Sequence, residues 1–253
     1  MSERASGKLA KLAAVRRTFR NWPRVLLDHV GLARSGYVCE LRDGTTFEVR
    51  SGTDDRHVLF EIFVQGIYDA PIRSGDIVVD IGANIGGFTV LAGRRGARVV
   101  AFEPFPANFA ALERNVKRNG LDVTLVQAAV ADAERTTEMF IPDDESYSGR
   151  YSLHPGRGGE TIQVACLPLD AVLARYDLPS IDLLKIDCQG SEYEILFSTS
   201  AETLARTRAL IIECEEFPDR PEWSTTTMRR FLETHGFSTS ADGNLVRATR
   251  PQP

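Results

Sequence analysis

The chain has 253 residues, of which 43% are hydrophobic and 26% charged, with a formal net charge of −5. Those values predict a soluble globular protein with one full α/β domain and a modest extension. The acid excess excludes a surface built throughout for nucleic acid, and no stretch reaches the ~18 apolar residues of a membrane span.

The basic N-terminus comes first. Arg4, Lys8, Lys11, Arg16, Arg17, Arg20 and Arg24 accompany Leu9, Leu12, Ala13 and Phe19 at partial helical spacing. This predicts a solvated leader helix ending near Pro23, with contact to an anionic membrane surface or a partner as the lesser reading. The stretch lacks the apolar core and cleavage site of a secretory signal, so a cytoplasmic protein is expected. Tyr37 to Leu41 and Thr46 to Arg50 read as a hairpin around Asp43-Gly44, where glycine accepts a positive φ at no steric cost. Asp54 to Ile67 reads as a helix, with Val58, Leu59, Ile62 and Phe63 on one face.

From Asp76 onward strands and helices alternate. Ile77 to Ile81 is a short apolar run of the kind buried on both faces of a parallel sheet. A helix through Gly87 to Gly93, a strand over Ala97 to Glu103 and a helix over Pro106 to Asn119 follow, then a third strand over Val123 to Val130. An insertion over 131–179 interrupts the alternation with two strands, Thr137 to Ile141 and Thr161 to Cys166, around a Gly-, Ser- and Asp-rich loop, and a short helix over Leu169 to Tyr176. The alternation resumes with strands at Ile181 to Asp187 and Leu210 to Cys214, separated by a helix over Tyr193 to Leu204. A helix at Met228 to His235 and two strands near Phe237 to Ser240 and Asn244 to Arg247 end the chain. The order predicts a doubly wound, Rossmann-like sheet with an antiparallel ending. Residues 1–70 form a leader, hairpin and helix packed on it, and 71–253 form the cofactor-binding domain. The cysteines Cys39, Cys166, Cys188 and Cys214 form no C-x-x-C pair, so reduced thiols are expected and a disulfide scaffold or structural zinc is not.

Ligands of such sheets lie beyond the carboxyl ends of the strands. The first strand ends in Asp80-Ile81-Gly82-Ala83-Asn84-Ile85-Gly86. A dinucleotide loop has glycine where Asn84 stands, because a side chain there crowds the pyrophosphate. An acid at Asp80 suits a cationic ammonium or sulfonium and repels phosphate. S-adenosylmethionine is therefore the expected cofactor, with Gly82, Ala83 and Gly86 in its loop. Glu103, followed by Pro104, stands 17 positions after Gly86, where a carboxylate accepts both ribose hydroxyls. Val130 and Asp132 end the third strand, and both are candidates for the adenine pocket.

At this point the chain resembles the FkbM-type methyltransferases of class I fold. The matching blocks are Val79 to Gly86, Ala101 to Pro104, Leu184 to Glu192 and Leu210 to Glu213. The resemblance implies a seven-stranded sheet, S-adenosylmethionine as donor, and a hydroxyl of a sugar or secondary metabolite as acceptor. One position departs from the family: Gln189 stands where relatives usually have glutamate, keeping hydrogen bonding but removing a carboxylate. Gln189 is expected to order the cofactor's methionine end or a substrate hydroxyl.

Methyl transfer to an alcohol needs in-line approach at ~3 Å and an acceptor for the alcohol proton. Asp187 is the first candidate, followed by Glu213 and Glu192; the alternative for Glu192 is a helix-starting carboxylate. A hard cation held by Asp187, Glu213 and Glu215 is the lesser reading, since their spacing does not enforce such a site, and no metal is expected. His154 ranks below Asp187 as a base. The loop from Asp143 to Gly159, with Tyr147, Tyr151 and His154, is an expected lid, and Glu61 and Tyr68 are placed to close over the cofactor. Two rival readings remain: an NAD(P)-dependent oxidoreductase, which Glu103 would also serve, and a binding protein that holds S-adenosylmethionine without turnover.

Overall fold

The computed structural model describes residues 3–32, 35–141, 151–154, 160–217 and 220–250. Two helices open the chain, α1 (Glu3–Thr18) and α2 (Trp22–His29), followed by the hairpin β1 (Tyr37–Glu40) and β2 (Thr46–Val49). Gly44 turns that hairpin at φ 88°, as its sequence requires. The helix expected over Asp54 to Ile67 is an α-helix only as α3 (Asp55–Phe60). It continues as a π-helical turn, Glu61–Gln65, and stops at the left-handed Gly66.

The doubly wound part runs β3 (Ile77–Ile81), α4 (Gly87–Arg94), β4 (Arg98–Phe102), α5 (Pro106–Arg118) and β5 (Thr124–Val126). The strand expected over Val123 to Val130 divides at Gln127-Ala128, and β6 (Ala129–Ala131) leaves for a second sheet. There β6 pairs in parallel with β8 (Glu160–Pro168), which pairs antiparallel with β7 (Arg135–Ile141). An apolar run cannot signal a change of sheet, because apolar residues suit either sheet; β5 is only partly buried and β6 fully buried.

After α6 (Leu169–Arg175) come β9 (Leu183–Ile186), α7 (Glu192–Ser198), α8 (Ala201–Ala205) and β10 (Ala209–Glu213). The single helix expected over Tyr193 to Leu204 is thus two. Thr199 Oγ1 donates back to the Ile195 carbonyl at 2.6 Å, and Ser200 caps α8 by accepting from the Thr203 amide. Such local hydroxyl bonds compete with continued helix. The chain closes with α9 (Thr225–Thr234), β11 (Ser238–Asp242) and β12 (Leu245–Thr249).

Seven strands make the main sheet in the order β11-β12-β10-β9-β3-β4-β5, with β12 antiparallel to both neighbours. The seven strands that the resemblance implied and the antiparallel ending that the element order predicted are both present. All five residues of β3 are buried. Ile77, Val79 and Ile81 face a core shared with α6, α7, α8 and α9, while Val78 faces a second core. That second core joins α4 and α5 to Val15 of α1, Phe19 just beyond it, Val25 of α2 and Phe47 of β2, so the N-terminal elements cover one face of the sheet. The layering leaves the carboxyl ends of β3, β4, β9 and β10 open along one edge. Among the described residues no helix is long and apolar enough to cross a membrane.

Candidate active site

A cavity of about 1040 Å³ lies at that edge. Of the expected residues, Gly82, Ala83, Asn84, Glu103, Pro104 and Val130 line it, as do Asp187, Gln189 and Glu213. Asp80, Gly86, Asp132 and Glu192 do not.

Each exception has a physical reason. Asp80 is fully buried and faces Lys185, its parallel register partner on β9, with Nζ 3.2 Å from Oδ1. Thr89 donates to its other oxygen at 2.6 Å. Its charge is therefore spent inside the fold and is not offered to a cationic ligand. Gly86 serves packing: a Cβ there would lie 2.7 Å from a Leu112 methyl, so glycine lets α4 approach α5. Asp132 is exposed and pairs with Arg135. Glu192 opens α7 fully buried, its carboxylate accepting the Cys188 amide at 3.0 Å and the Gly190 amide at 2.9 Å. Burial nevertheless outweighs these bonds and raises its pKa to about 7. Glu192 builds the turn that presents residues 187–190.

Gly82 holds the first loop against that turn. At φ 77°, a Cβ on it would lie 1.8 Å from the Asp187 carbonyl, so no other residue fits between the two strand ends. Asn84 and Gln189 both take left-handed φ, 52° and 59°, a conformation Asn tolerates better than Gln does. Two non-glycine residues held this way on facing loops are the sort of local strain that clusters at ligand sites. Glu103 ties the first loop to β4: its oxygens accept the Asn84 amide at 2.8 Å and the Phe105 amide at 2.9 Å. Burial lifts its pKa to about 7 against these two bonds.

The other end of the cavity is a charged cluster that sequence reasoning only partly reached. Lys185 is 3% exposed, donates to the Gly82 carbonyl at 2.7 Å and stands 3.7 Å from Asp187 Oδ2. Burial lowers its pKa, but the Asp80 and Asp187 carboxylates outweigh that and raise it, keeping it charged. A lone lysine inside Leu183-Leu184-Lys185-Ile186 needs a buried acid, a requirement readable in the sequence, but only the pairing of β3 with β9 shows that Asp80 supplies it. Tyr68, 4% exposed, places its hydroxyl 2.8 Å from Asp187 Oδ2 and 2.7 Å from Glu213 Oε2. Gln189 Nε2 lies 3.4 Å from Asp187 Oδ1. Burial, then the charge of Asp187, raises the pKa of Glu213. Burial with the charges of Glu213 and Asp187 raises Glu61 to about 7, beside His57 at 3.1 Å.

The lid expected over Asp143 to Gly159 lies mostly outside the described residues, as does Tyr147; only 151–154 are described. Tyr151 lines the cavity and stacks on Phe105, centroids 3.8 Å apart. Ser152 Oγ donates to the Gln189 carbonyl at 2.7 Å, tying this segment to the β9 loop. His154 does not line the cavity; its ring meets Trp223 and Phe217 edge-on. Among the described residues no three or more His, Cys, Asp or Glu side chains group as a metal site.

The model of the FkbM methyltransferase domain matches residues 80–239, which carry the carboxyl ends of β3, β4, β9 and β10. The chain is 28% identical over 238 residues to the 31-O-demethyl-FK506 methyltransferase FkbM of Streptomyces tacrolimicus, covering 80% of this chain and 89% of that protein. It is 29% identical over 228 residues to the AMB antimetabolite synthetase AmbE of Pseudomonas aeruginosa, covering 74% of this chain but 11% of that one. A solved structure it is similar to is precorrin-6y C5,15-methyltransferase from Geobacter metallireducens, with 16% identity, a TM-score of 0.45, and 74% and 86% of the two chains covered. With the match spanning the loop at Gly82, the carboxylate at Glu103 and the strand ends at Asp187 and Glu213, the chain belongs to the FkbM methyltransferase family.

Proposed function

We propose that the protein transfers a methyl group from S-adenosylmethionine to a hydroxyl oxygen of a small acceptor, a sugar or secondary metabolite. The observation that carries this reading is the pair Asp187 and Glu213, adjacent strand-end carboxylates on the wall of a cavity that Val130, Met139, Tyr151 and Leu153 also line. The relative from Streptomyces tacrolimicus is named for methylation at an oxygen, which supports the same chemistry here.

The residues present fit the donor. Both Glu103 oxygens accept one backbone amide, and a carboxylate oxygen can accept a second bond, so the side chain remains able to take a ribose diol. Val130, Met139 and Tyr151 line an apolar slot suited to a purine, and the backbone of 82–84 with Gln189 would hold the amino-acid end. Bound there, the donor supplies an electrophilic methyl group on a cationic sulfur.

The charge of the lining discriminates against the rival readings. Asp54, Glu61, Glu103, Asp187, Glu213 and Glu215 face Arg56 and Lys185. Arg56 lies 3.1 Å from Asp28, and Lys185 is committed to Asp80, so both cations already have acid partners. Such a wall repels a pyrophosphate or a polynucleotide and accommodates a sulfonium. This favours S-adenosylmethionine over NAD(P) and a small acceptor over nucleic acid.

The chain's own contribution is orientation and proton acceptance. An acceptor hydroxyl donating to Asp187 or Glu213 passes its proton to that carboxylate as the new carbon–oxygen bond forms. Raised by burial and by its neighbour, Glu213 is a stronger base than an exposed carboxylate. Lys185 keeps the cluster from accumulating unbalanced negative charge, and Gln189, donating toward Asp187, orients it where a glutamate would repel it. Two acids poised this way support turnover over mere binding.

A screen of hydroxylated acceptors with methyl-labelled donor tests the proposal. Label is expected on oxygen, and Asp187→Asn is expected to lower kcat by about 10²–10⁴-fold with S-adenosylhomocysteine affinity retained. Label appearing only on nitrogen would overturn the assignment to hydroxyls.

A further inference from the structure

We propose that Tyr68 is a positioning residue that binds Asp187 and Glu213 into one proton-accepting pair, so that a segment outside the matched domain completes the active site. The inference rests on reading those two carboxylates as proton acceptors. Tyr68 precedes residues 80–239, yet its hydroxyl is within 2.8 Å of both acids.

One hydroxyl has one proton and donates to one oxygen at a time. It therefore alternates between carboxylates on β9 and β10 and screens each from the other. Burial, reinforced by both carboxylates, drives the Tyr68 pKa well above its ordinary value, so the phenol keeps its proton throughout. In the transfer step the acceptor oxygen would gain the methyl carbon as the donor's sulfur–methyl bond breaks, leaving neutral S-adenosylhomocysteine, and would lose its proton to a carboxylate, while Tyr68 moves its bond to the acid that remains ionised. The lost sulfonium charge and the neutralised carboxylate balance, so no reactant beyond donor and acceptor is needed.

The segment carrying Tyr68 is anchored for this task. Arg247 of β12 donates to the Ile67 carbonyl at 2.5 Å and to the Asp69 carbonyl at 3.0 Å. Arg95 donates to the Ala70 carbonyl at 2.7 Å and pairs with Asp69. Phe88 of α4 packs edge-on against the Tyr68 ring, and Lys185 Nζ lies 5.2 Å from its centroid. The other groups around the pair are Glu61 on the π turn, with Asp54 ahead of it, and Asp80 behind Lys185. Asn244, in the β11–β12 turn, donates to Glu213 Oε1 at 3.3 Å.

Carboxyl-carbon NMR titration of the ligand-free protein is the test, since it needs neither donor nor acceptor. In Tyr68→Phe the Glu213 midpoint is expected to rise by about one pH unit, because the ionised acid loses a donor. If that variant does not fold, 3-fluorotyrosine at position 68 keeps the ring and strengthens the donor, and the midpoint is expected to fall. In the methyl-transfer assay the acidic limb of kcat is expected to move with the midpoint while affinity for S-adenosylhomocysteine holds. An unchanged Glu213 midpoint overturns the role of Tyr68. Absence of transfer by the wild type, with the midpoint moving as described, instead overturns the proposed activity and leaves the pairing standing.

Discussion

Lys185 sits in the middle of a buried strand and touches both halves of the site. Its partners are Asp80 across the β3–β9 register and the Gly82 carbonyl, with Asp187 at the strand tip beyond. A buried pair of this kind adds little net stability, but removing one partner strands the other charge. Lys185→Met is expected to cost about 3–5 kcal/mol in chemical denaturation, and adding Asp80→Asn is expected to recover most of that. If the double variant is as unstable as the single one, the pairing is not what holds Lys185 in place. At this scale the residue types were legible and their partners were not. Asp80 was readable as an acid aimed at a cationic ligand, because nothing local shows that a lysine 105 positions later lies opposite it. Glu103 was legible, since the end of β4 is set by the βαβ order alone.

Among the elements, the turn between β9 and α7 shows how a fold spends a carboxylate on its own backbone. Glu192 accepts the Cys188 and Gly190 amides and shapes the loop from Asp187 to Gly190. Its pKa lies near 7 in the fold against an ordinary 4.5 when unfolded. A carboxyl raised on folding binds its proton more tightly in the native state. The stability this lends is full below about pH 4.5 and is lost as pH rises toward 7. Glu192→Gln keeps an acceptor for both amides at the Oε1 position and removes the ionisation. Its melting temperature is expected to decline less than the wild type's between pH 5 and pH 8; equal declines would show that Glu192 does not titrate there. Elements were legible where apolar period and turn chemistry agreed, as in the hairpin at Gly44 and the strand Ile77 to Ile81. They were not where the chain changes sheet after Val126, or where Thr199 and Ser200 divide a helix by hydroxyl bonds. Nor does sequence period separate the π turn at Glu61–Gln65 from ordinary helix, although that turn sets Glu61 on the cavity wall.

For the whole molecule, one sheet edge gathers what the chain scatters between Gly82 and Glu213. The order β10-β9-β3-β4 brings Glu213, Asp187, Gly82 and Glu103 to adjacent strand ends, and the N-terminal elements close the cavity with Tyr68 and Glu61. The sheet class and its open edge followed from strand alternation, whereas the N-terminal contribution depended on packing that no motif encodes. We propose that this edge holds S-adenosylmethionine with Glu103 on its ribose. Calorimetric titration with S-adenosylhomocysteine tests that most directly, using the wild type, Glu103→Ala, and NAD as the competing ligand. Saturable binding to the wild type is expected, weakened by about 10- to 100-fold in Glu103→Ala as a bond to a charged acceptor is lost, with no heat from NAD. Binding of NAD in preference to S-adenosylhomocysteine, or equal affinity in the two proteins, would contradict it.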